Sequence, residues 1–343
     1  MIAADTLMHQ EASEAASVVA RQFKSNEALR DDLAARLRAL KPDLIFTCAR
    51  GSSDHAATYA KYLFETRLGI PTLSHAPSIV SLYGRTLLNM KGQLFLLISQ
   101  SGKSPDLLMS AEMAKDTGAL VVALVNDMSS PLATMADVAV PLDAGPERSV
   151  AATKSYIASL FAIVTLVARW QEDGALEADC GALPVALEQA FANDWSPAVP
   201  ALRDAQSLFV LGRGLTLGIA QEAALKFKET CGIHAEAFSL AEVAHGPMAL
   251  VKQGFPLLVF PPGDAAAKGL DAALDGFAER GARIIEAGGS DADRMCLPVP
   301  ALNPALAPIA MIQSFYRLVN ALAVARGFDP DHPPSLNKVT QTR

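Results

Sequence analysis

Three pairs of glycines stand at one fixed interval in this chain: Gly51 and Gly214, Gly69 and Gly232, and Gly118 and Gly281 are each 163 residues apart. Their surroundings repeat as well. Asp43-Leu-Ile-Phe-Thr-Cys-Ala-Arg-Gly51 has a counterpart in Ser207-Leu-Phe-Val-Leu-Gly-Arg-Gly214, and Glu65-Thr66 nearly aligns with Glu229-Thr230. A period of this length marks a duplicated domain. With 343 residues there is room for two domains of ordinary size.

The first copy shows what the unit is. Leu94–Ile98 is a short continuous apolar run, which reads as a strand buried on both faces. It ends in Ser99-Gln100-Ser101-Gly102-Lys103-Ser104-Pro105-Asp106. Leu107–Thr117 then has helical spacing, Gly118 closes it, and Leu120–Val125 is a second apolar strand. Upstream, Thr6–Arg38 reads as a helical lead-in or an oligomer contact. Leu44–Cys48 reads as a strand, Ala49–Asp54 as a tight turn and His55–Arg67 as a helix. Val138–Leu142 is a further strand and Ser155–Trp170 an apolar helix. Strands alternating with helices predict an α/β fold: a parallel sheet with helices on both faces. The apolar share of 51% and the mean hydropathy of +0.24 agree with sheets covered on both sides. Glu172–Pro200, with its Gly, Asp and Pro residues, reads as the join between the two copies.

In such sheets ligands bind beyond the carboxyl ends of the strands. Three small, polar turns fall on that edge: Arg50–Ser53, Ser99–Ser104 and Ser149–Thr153. Ser99–Ser104 leads into a helix, whose free N–H groups and positive dipole end favour an anion. Ser99, Ser101 and Ser104 add hydroxyl donors, and Gly102 allows a close backbone approach. A phosphate fits. An ordinary polar turn with a serine cap has the same composition. No G-x-x-x-x-G-K-[ST] occurs, which disfavours a nucleotide. The second copy has Val259-Phe260-Pro261-Pro262-Gly263-Asp264 at this place. Two prolines remove donors and Asp264 repels an anion, so the phosphate pocket is expected in the first copy alone.

The second copy offers a different chemistry. On the expected helix Ile219–Thr230, Glu222, Lys226 and Glu229 stand at i, i+4 and i+7, on one face. A solvated face with a salt bridge explains that spacing equally well. Glu229 falls in the last turn, where the helix dipole tends to raise a carboxyl pKa and suits it to act as a base. His234, Glu236, Glu242 and His245 follow, and His245 precedes a Gly-Pro turn. In the proline-rich tail Asp329–Arg343, the patch Leu336-Asn337-Lys338-Val339 has the composition to dock and bring a lysine to a pocket.

A net charge of −7 and a pI near 5.4 argue against nucleic acid or anionic membrane as a partner. The cysteines Cys48, Cys180, Cys231 and Cys296 are scattered, with no C-x-x-C. That pattern fits reduced thiols in a cytoplasmic protein, without a disulfide frame or a zinc site. The N-terminus lacks the basic and apolar regions of a signal peptide. The apolar stretch Ile157–Ala168 is too short to span a bilayer.

At these residues the chain resembles a known family. It is similar to the isomerase half of glucosamine-6-phosphate synthase, built of two sugar isomerase (SIS) domains, and to its glutaminase-free relatives, the SIS-type glucosamine-6-phosphate deaminases. The resemblance runs from about Asp43 to the C-terminus. It rests on Gly51-Ser52-Ser53, Ser99-Gln100-Ser101-Gly102, Val150-Ala151-Ala152-Thr153-Lys154, Glu222–Glu229, His234-Ala235-Glu236-Ala237, His245-Gly246-Pro247 and Leu336-Asn337-Lys338. It implies two tandem flavodoxin-like domains, each a three-layer αβα sandwich around a parallel sheet. A helical lead-in would cover 1–40, the first domain 41–180, the second 181–328 and the tail 329–343.

The resemblance also implies roles. Gly51, Ser52, Ser53, Ser99, Gln100, Ser101, Gly102, Ser104, Val150 and Ala152 would contact a sugar phosphate. Glu229, His245, Lys338 and Lys226 would be the catalytic set, with Glu229 moving a proton between C1 and C2, His245 assisting ring opening and Lys338 near the carbonyl carbon. No metal or cofactor is implied; a homodimer with a site shared between subunits is. Two departures stand out: Ala152 replaces a serine-type position, and Asn337 precedes Lys338 where the synthase has alanine. The short lead-in before the first SIS unit is not expected to hold the synthase's glutaminase domain, so the expected chemistry is the reverse reaction, from glucosamine 6-phosphate to fructose 6-phosphate and ammonia. A galactosamine-6-phosphate deaminase/isomerase or a fructosamine-6-phosphate deglycase keeps the same fold. A non-catalytic phosphosugar sensor belongs to another class.

Overall fold

The computed structural model describes residues 1–87 and 89–338; Val339, at the end of the tail patch singled out above, lies outside them. Three helices, α1 (Leu7–Ser13), α2 (Ala15–Ser25) and α3 (Glu27–Leu40), open the chain. The first sheet is built of β1 (Ile45–Cys48), β2 (Thr72–Ser74), β3 (Leu94–Ser99), β4 (Leu120–Val125) and β5 (Val138–Pro141) in the order β2-β1-β3-β4-β5. All its pairings are parallel, with Leu94 beside Leu120 and Ser99 beside Val125. Its helices are α4 (Ser52–Leu63), α5 (Ser78–Ser81), α6 (Pro105–Asp116), α7 (Pro131–Met135) and α8 (Lys154–Gln171). Every residue of β3 and β4 is buried, as the unbroken apolar runs require. Phe95, Leu97, Val121 and Ala123 pack against Leu107, Ala111 and Ala114 of α6.

After α9 (Gly174–Ala192) and α10 (Ala198–Leu202) come β6 (Ser207–Gly212), β7 (His234–Ser239), β8 (Pro256–Val259), β9 (Arg283–Ala287) and β10 (Met295–Leu297). Their order, β7-β6-β8-β9-β10, repeats the first sheet strand for strand, and it is the 2-1-3-4-5 order of flavodoxin-like folds. Its helices include α11 (Leu217–Cys231), α12 (Leu270–Glu279) and α13 (Ala307–Ala325). The six repeat glycines all have left-handed φ, at 55° and 60°, 69° and 61°, and 91° and 78° for the three pairs. Other residues adopt that region at a cost of about 1–2 kcal/mol, a reason for both copies to keep glycine.

The passage between the two units, at Ala182 and Leu183, falls within Glu172–Pro200, the expected join. Most of it is α9, which runs through Pro184 for 19 residues. Burial of Leu176, Cys180, Leu183 and Leu187 holds this helix together despite Gly181 and Pro184.

The chain forms two compact units that are not contiguous in sequence. One carries the first sheet and comprises Ser17–Glu147, Lys154–Ala182 and the described residues from Asn337. The other carries the second sheet and comprises Met1–Ala16, Arg148–Thr153 and Leu183–Leu336. Among the described residues α13 has the length and composition to cross a membrane, yet 78% of it is buried within the protein. All four cysteines are free, and burial pushes the thiols of Cys48, Cys180 and Cys231 up to about 12, leaving them inert.

Candidate active site

In the first-sheet unit, two of the three predicted turns sit at the carboxyl ends of β1 and β3. Gly51, with φ 55°, is the N-cap of α4, so Ser52 and Ser53 form that helix's first turn and not a preceding loop. Ser99 ends β3, and its hydroxyl accepts the Gly102 N–H at 3.0 Å, while Ser101 Oγ accepts the Lys103 N–H at 3.4 Å. Gln100, Ser101 and Ser104 are half-buried. Ser104 is the N-cap of α6, but its side chain makes no capping bond. The hydroxyl is thus not spent on the helix, as an ordinary serine cap would be. Lys103 is paired with Asp127 at 2.8 Å. That lysine, with the Ser129 hydroxyl and N–H, draws the Asp127 carboxyl down to about 2.

Gly102 is needed for a reason the sequence did not reveal. Its φ is 62°, and a Cβ there would lie 2.2 Å from Ser130 Oγ. Ser130 caps α7 through Ala133 N, and Leu132 N donates to the Gly102 carbonyl at 3.2 Å. The loop is therefore folded against the start of α7. A second brace joins the two serine turns. Arg50, one residue before Gly51, grips Asp106 in the first turn of α6, with Nε and Nη2 at 2.9 and 2.8 Å from Oδ2. Asp106 is fully buried.

Lys338 belongs to the same unit. Its Nζ is 3.0 Å from Glu147 Oε2, and Glu147 also accepts the Ser155 N–H at 3.1 Å and the Ser155 hydroxyl at 2.7 Å. The Glu147 side chain has no exposed surface. Nothing in the local sequence pattern singles out Glu147, because its partners are a tail residue and a helix N-terminus.

In the second-sheet unit, Glu222, Lys226 and Glu229 share one face of α11, as their spacing predicts. Lys226 Nζ lies 3.1 Å from Glu222 Oε1 and 2.7 Å from Glu229 Oε2. The face is not solvated: side-chain exposure is 0% for Glu222, 1% for Lys226 and 19% for Glu229. Tyr316 of α13 donates to Glu222 Oε1 at 3.3 Å. Burial alone would favour the neutral amine of Lys226, but the two carboxylates outweigh it and hold the ammonium well above its usual range. Glu229 is in the last turn, ahead of the left-handed cap Gly232. The Lys226 ammonium stands beside Glu229.

Val150 and Ala152 are half-buried in the irregular segment Arg148–Thr153. His245 is exposed at the end of a 3₁₀ turn, Leu240–His245. His234, Glu236 and Glu242 are exposed too. Among the described residues no group of three or more His, Cys, Asp or Glu side chains is arranged to hold a metal ion.

The fold and its duplication have counterparts in known proteins. The SIS domain family matches residues 40–169 and again 201–324. A glutamine–fructose-6-phosphate aminotransferase (isomerizing) of Thermococcus kodakarensis is 33% identical over 313 residues, 86% of this chain and 52% of that protein. The chain thus spans about half the length of the curated relatives it matches. A crystal structure from Silicibacter pomeroyi, assigned provisionally as a phosphosugar isomerase, is 43% identical, with a TM-score of 0.90 over 95% of this chain and 100% of that one. The C-terminal domain of a glucosamine-fructose-6-phosphate aminotransferase from Francisella tularensis is 26% identical, with a TM-score of 0.88 over 96% and 98%. With two matched segments, two sheets of one order and relatives of this kind, the chain belongs to the SIS-domain family and carries two copies of the domain.

Proposed function

We propose that the chain is an amino-sugar phosphate deaminase/isomerase, converting glucosamine 6-phosphate and water to fructose 6-phosphate and ammonia. One observation supports this reading above the rest. Glu229 is an accessible carboxylate at a helix end, fixed by a buried ammonium that is itself held by Glu222 and Tyr316. A half-buried, oriented carboxylate that a substrate can still reach is what proton transfer between adjacent carbons needs.

In this reading the sugar phosphate is held by the serines of Ser99–Ser104 with Ser52 and Ser53, at the N-termini of α6 and α4. His245 assists ring opening. Glu229 takes the C2 proton of the open-chain aldehyde, giving an enolamine, and returns it to C1. The C2 imine then adds water and loses ammonia. Lys338, as an ammonium, stabilises charge developing on the sugar oxygen. The protein acts in the cytoplasm as a homodimer with a shared site, and none of these steps draws on a metal or redox cofactor.

The test is release of ammonia and fructose 6-phosphate from glucosamine 6-phosphate by purified protein in the absence of glutamine. One-to-one appearance of both is expected, and Glu229→Gln should abolish it while sugar-phosphate binding stays nearly unchanged. Turnover of galactosamine 6-phosphate or a fructosamine 6-phosphate instead would move the substrate. Binding without turnover would favour a sensor.

A further inference from the structure

We infer that Glu11, on α1, is a positioning residue for the binding segment Arg148–Thr153, and that Asp331 completes the clamp from the other end of the chain. This rests on the reading above that Val150 and Ala152 contact the sugar.

Arg148–Thr153 belongs to no helix or strand, so its shape is set by where its N–H groups go. The Glu11 carboxylate accepts the N–H of Arg148 through Oε1 and that of Ser149 through Oε2, the latter at 3.2 Å. The next donor, Val150 N, goes to the Asp331 carbonyl at 3.3 Å. Three successive amides are thus fixed by two acidic residues, 5% and 8% exposed.

The two residues are also tied to each other. The Asp331 carboxylate accepts the N–H groups of Leu7 and Met8, each at 2.7 Å, at the start of the helix that bears Glu11. That helix is fastened to α13: Gln313 donates to the Ala12 carbonyl at 2.9 Å, and Thr6 donates to Asn320 Oδ1 at 2.7 Å. The frame therefore closes on itself, from tail turn to α1 to binding segment and back to the tail turn.

Val150 and Ala152 have no polar side-chain atoms. Any hydrogen bond these positions offer a sugar comes from the main chain, whose placement Glu11 controls. A glutamine at position 11 keeps the shape but has a single acceptor, and turns an NH₂ group against a backbone N–H.

The test uses the full chain as wild type, Glu11→Gln and Asp331→Asn. Glu11→Gln should raise KM for glucosamine 6-phosphate about tenfold with kcat within about twofold, because uniform binding is lost. Inhibition by inorganic phosphate should be unchanged, since phosphate engages the Ser99–Ser104 loop. Amides of 148–150 should exchange hydrogen faster in Glu11→Gln, with the strands unaffected. Asp331→Asn should show the same pattern more weakly. Unchanged KM together with unchanged exchange overturns the inference, as does a fall in kcat alone with the melting temperature, which marks a merely structural residue. If the wild type does not turn over, the functional reading fails separately. Titration with fructose 6-phosphate then decides the clamp: about tenfold weaker binding by Glu11→Gln supports it, and equal affinity, or no binding by wild type, overturns it.

Discussion

Lys338 and Glu147 are 191 residues apart in the chain, and Lys338 Nζ lies 3.0 Å from Glu147 Oε2. The carboxylate has no exposed side-chain surface and takes two further donors from Ser155 at the N-terminus of α8. The carboxylate thus joins the start of α8 to the tail. It fixes the position of the tail lysine through a charge-assisted hydrogen bond. Acting through one another, the two residues should not be additive. Glu147→Gln and Lys338→Met are each expected to lower kcat/KM by about tenfold or more, and the double variant by little beyond the larger single effect. Measured additivity would separate their roles.

The inner strands were legible because buried parallel strands leave unbroken apolar runs, as in Leu94–Ile98 and Leu120–Val125, whereas the short edge strand β2, two of whose three residues are exposed, was not. The second sheet followed from the 163-residue interval. The face shared by Glu222, Lys226 and Glu229 was legible too, but its burial was not. Helical spacing gives a face, and only the packing of α13, with Tyr316 against Glu222, says whether that face meets water. Glu147 and Glu11 escaped for a related reason. Their partners, Lys338 and the amides of Arg148 and Ser149, are 191 and 137 or 138 residues away, and no local period records such a pairing. α9 went unread within the join because Pro184 breaks helices in isolation and is tolerated only where tertiary burial compensates.

Lys226 predicts an alkaline limit to stability. Its pKa is raised in the folded state, because Glu222 and Glu229 outweigh burial. A raised pKa contributes stability that is fully present below the unfolded value, near 10.4, and is lost as pH rises through the folded value. Denaturant titrations should therefore show no loss from this group between neutrality and about pH 10, then a fall above it. Lys226→Met should remove that alkaline slope. It also leaves Glu222 buried without its cation, a change expected to cost about 3–5 kcal/mol at neutral pH. Equal alkaline slopes in the two proteins would sink the assignment.

Gly102 is predicted to tolerate no side chain. Alanine there must adopt φ 62° and place its Cβ 2.2 Å from Ser130 Oγ, so the loop or the start of α7 must move. The left-handed backbone costs about 1–2 kcal/mol before any clash. Gly102→Ala should weaken sugar-phosphate binding at least tenfold while the strands stay intact by circular dichroism. Adding Ser130→Gly removes the obstructing atoms and should restore part of the affinity. Calorimetric titration of the three proteins with fructose 6-phosphate measures this, and a Gly102→Ala variant that binds normally would show that the loop does not hold the phosphate.

Arg50 and Asp106 should couple the two serine turns. Arg50 lies directly before Gly51-Ser52-Ser53, and Asp106 directly after Ser104-Pro105, so their ion pair fixes one turn relative to the other. The pair is asymmetric in exposure: the Asp106 side chain is fully buried, whereas that of Arg50 is 47% exposed. Solvent screens the arginine, which lowers what the pair contributes, but the aspartate left without it is a buried charge. The two single variants should therefore differ. Arg50→Gln takes the cation from a buried carboxylate and is expected to lower stability by about 2 kcal/mol, whereas Asp106→Asn leaves a charge that turns to water and costs about half as much. Both should weaken sugar-phosphate binding, because each frees one turn to move against the other. Urea unfolding midpoints give the first comparison and titration with fructose 6-phosphate the second. Equal destabilisation would mean that exposure does not govern the pair, and unaltered binding in both would mean that the two turns do not act on one ligand.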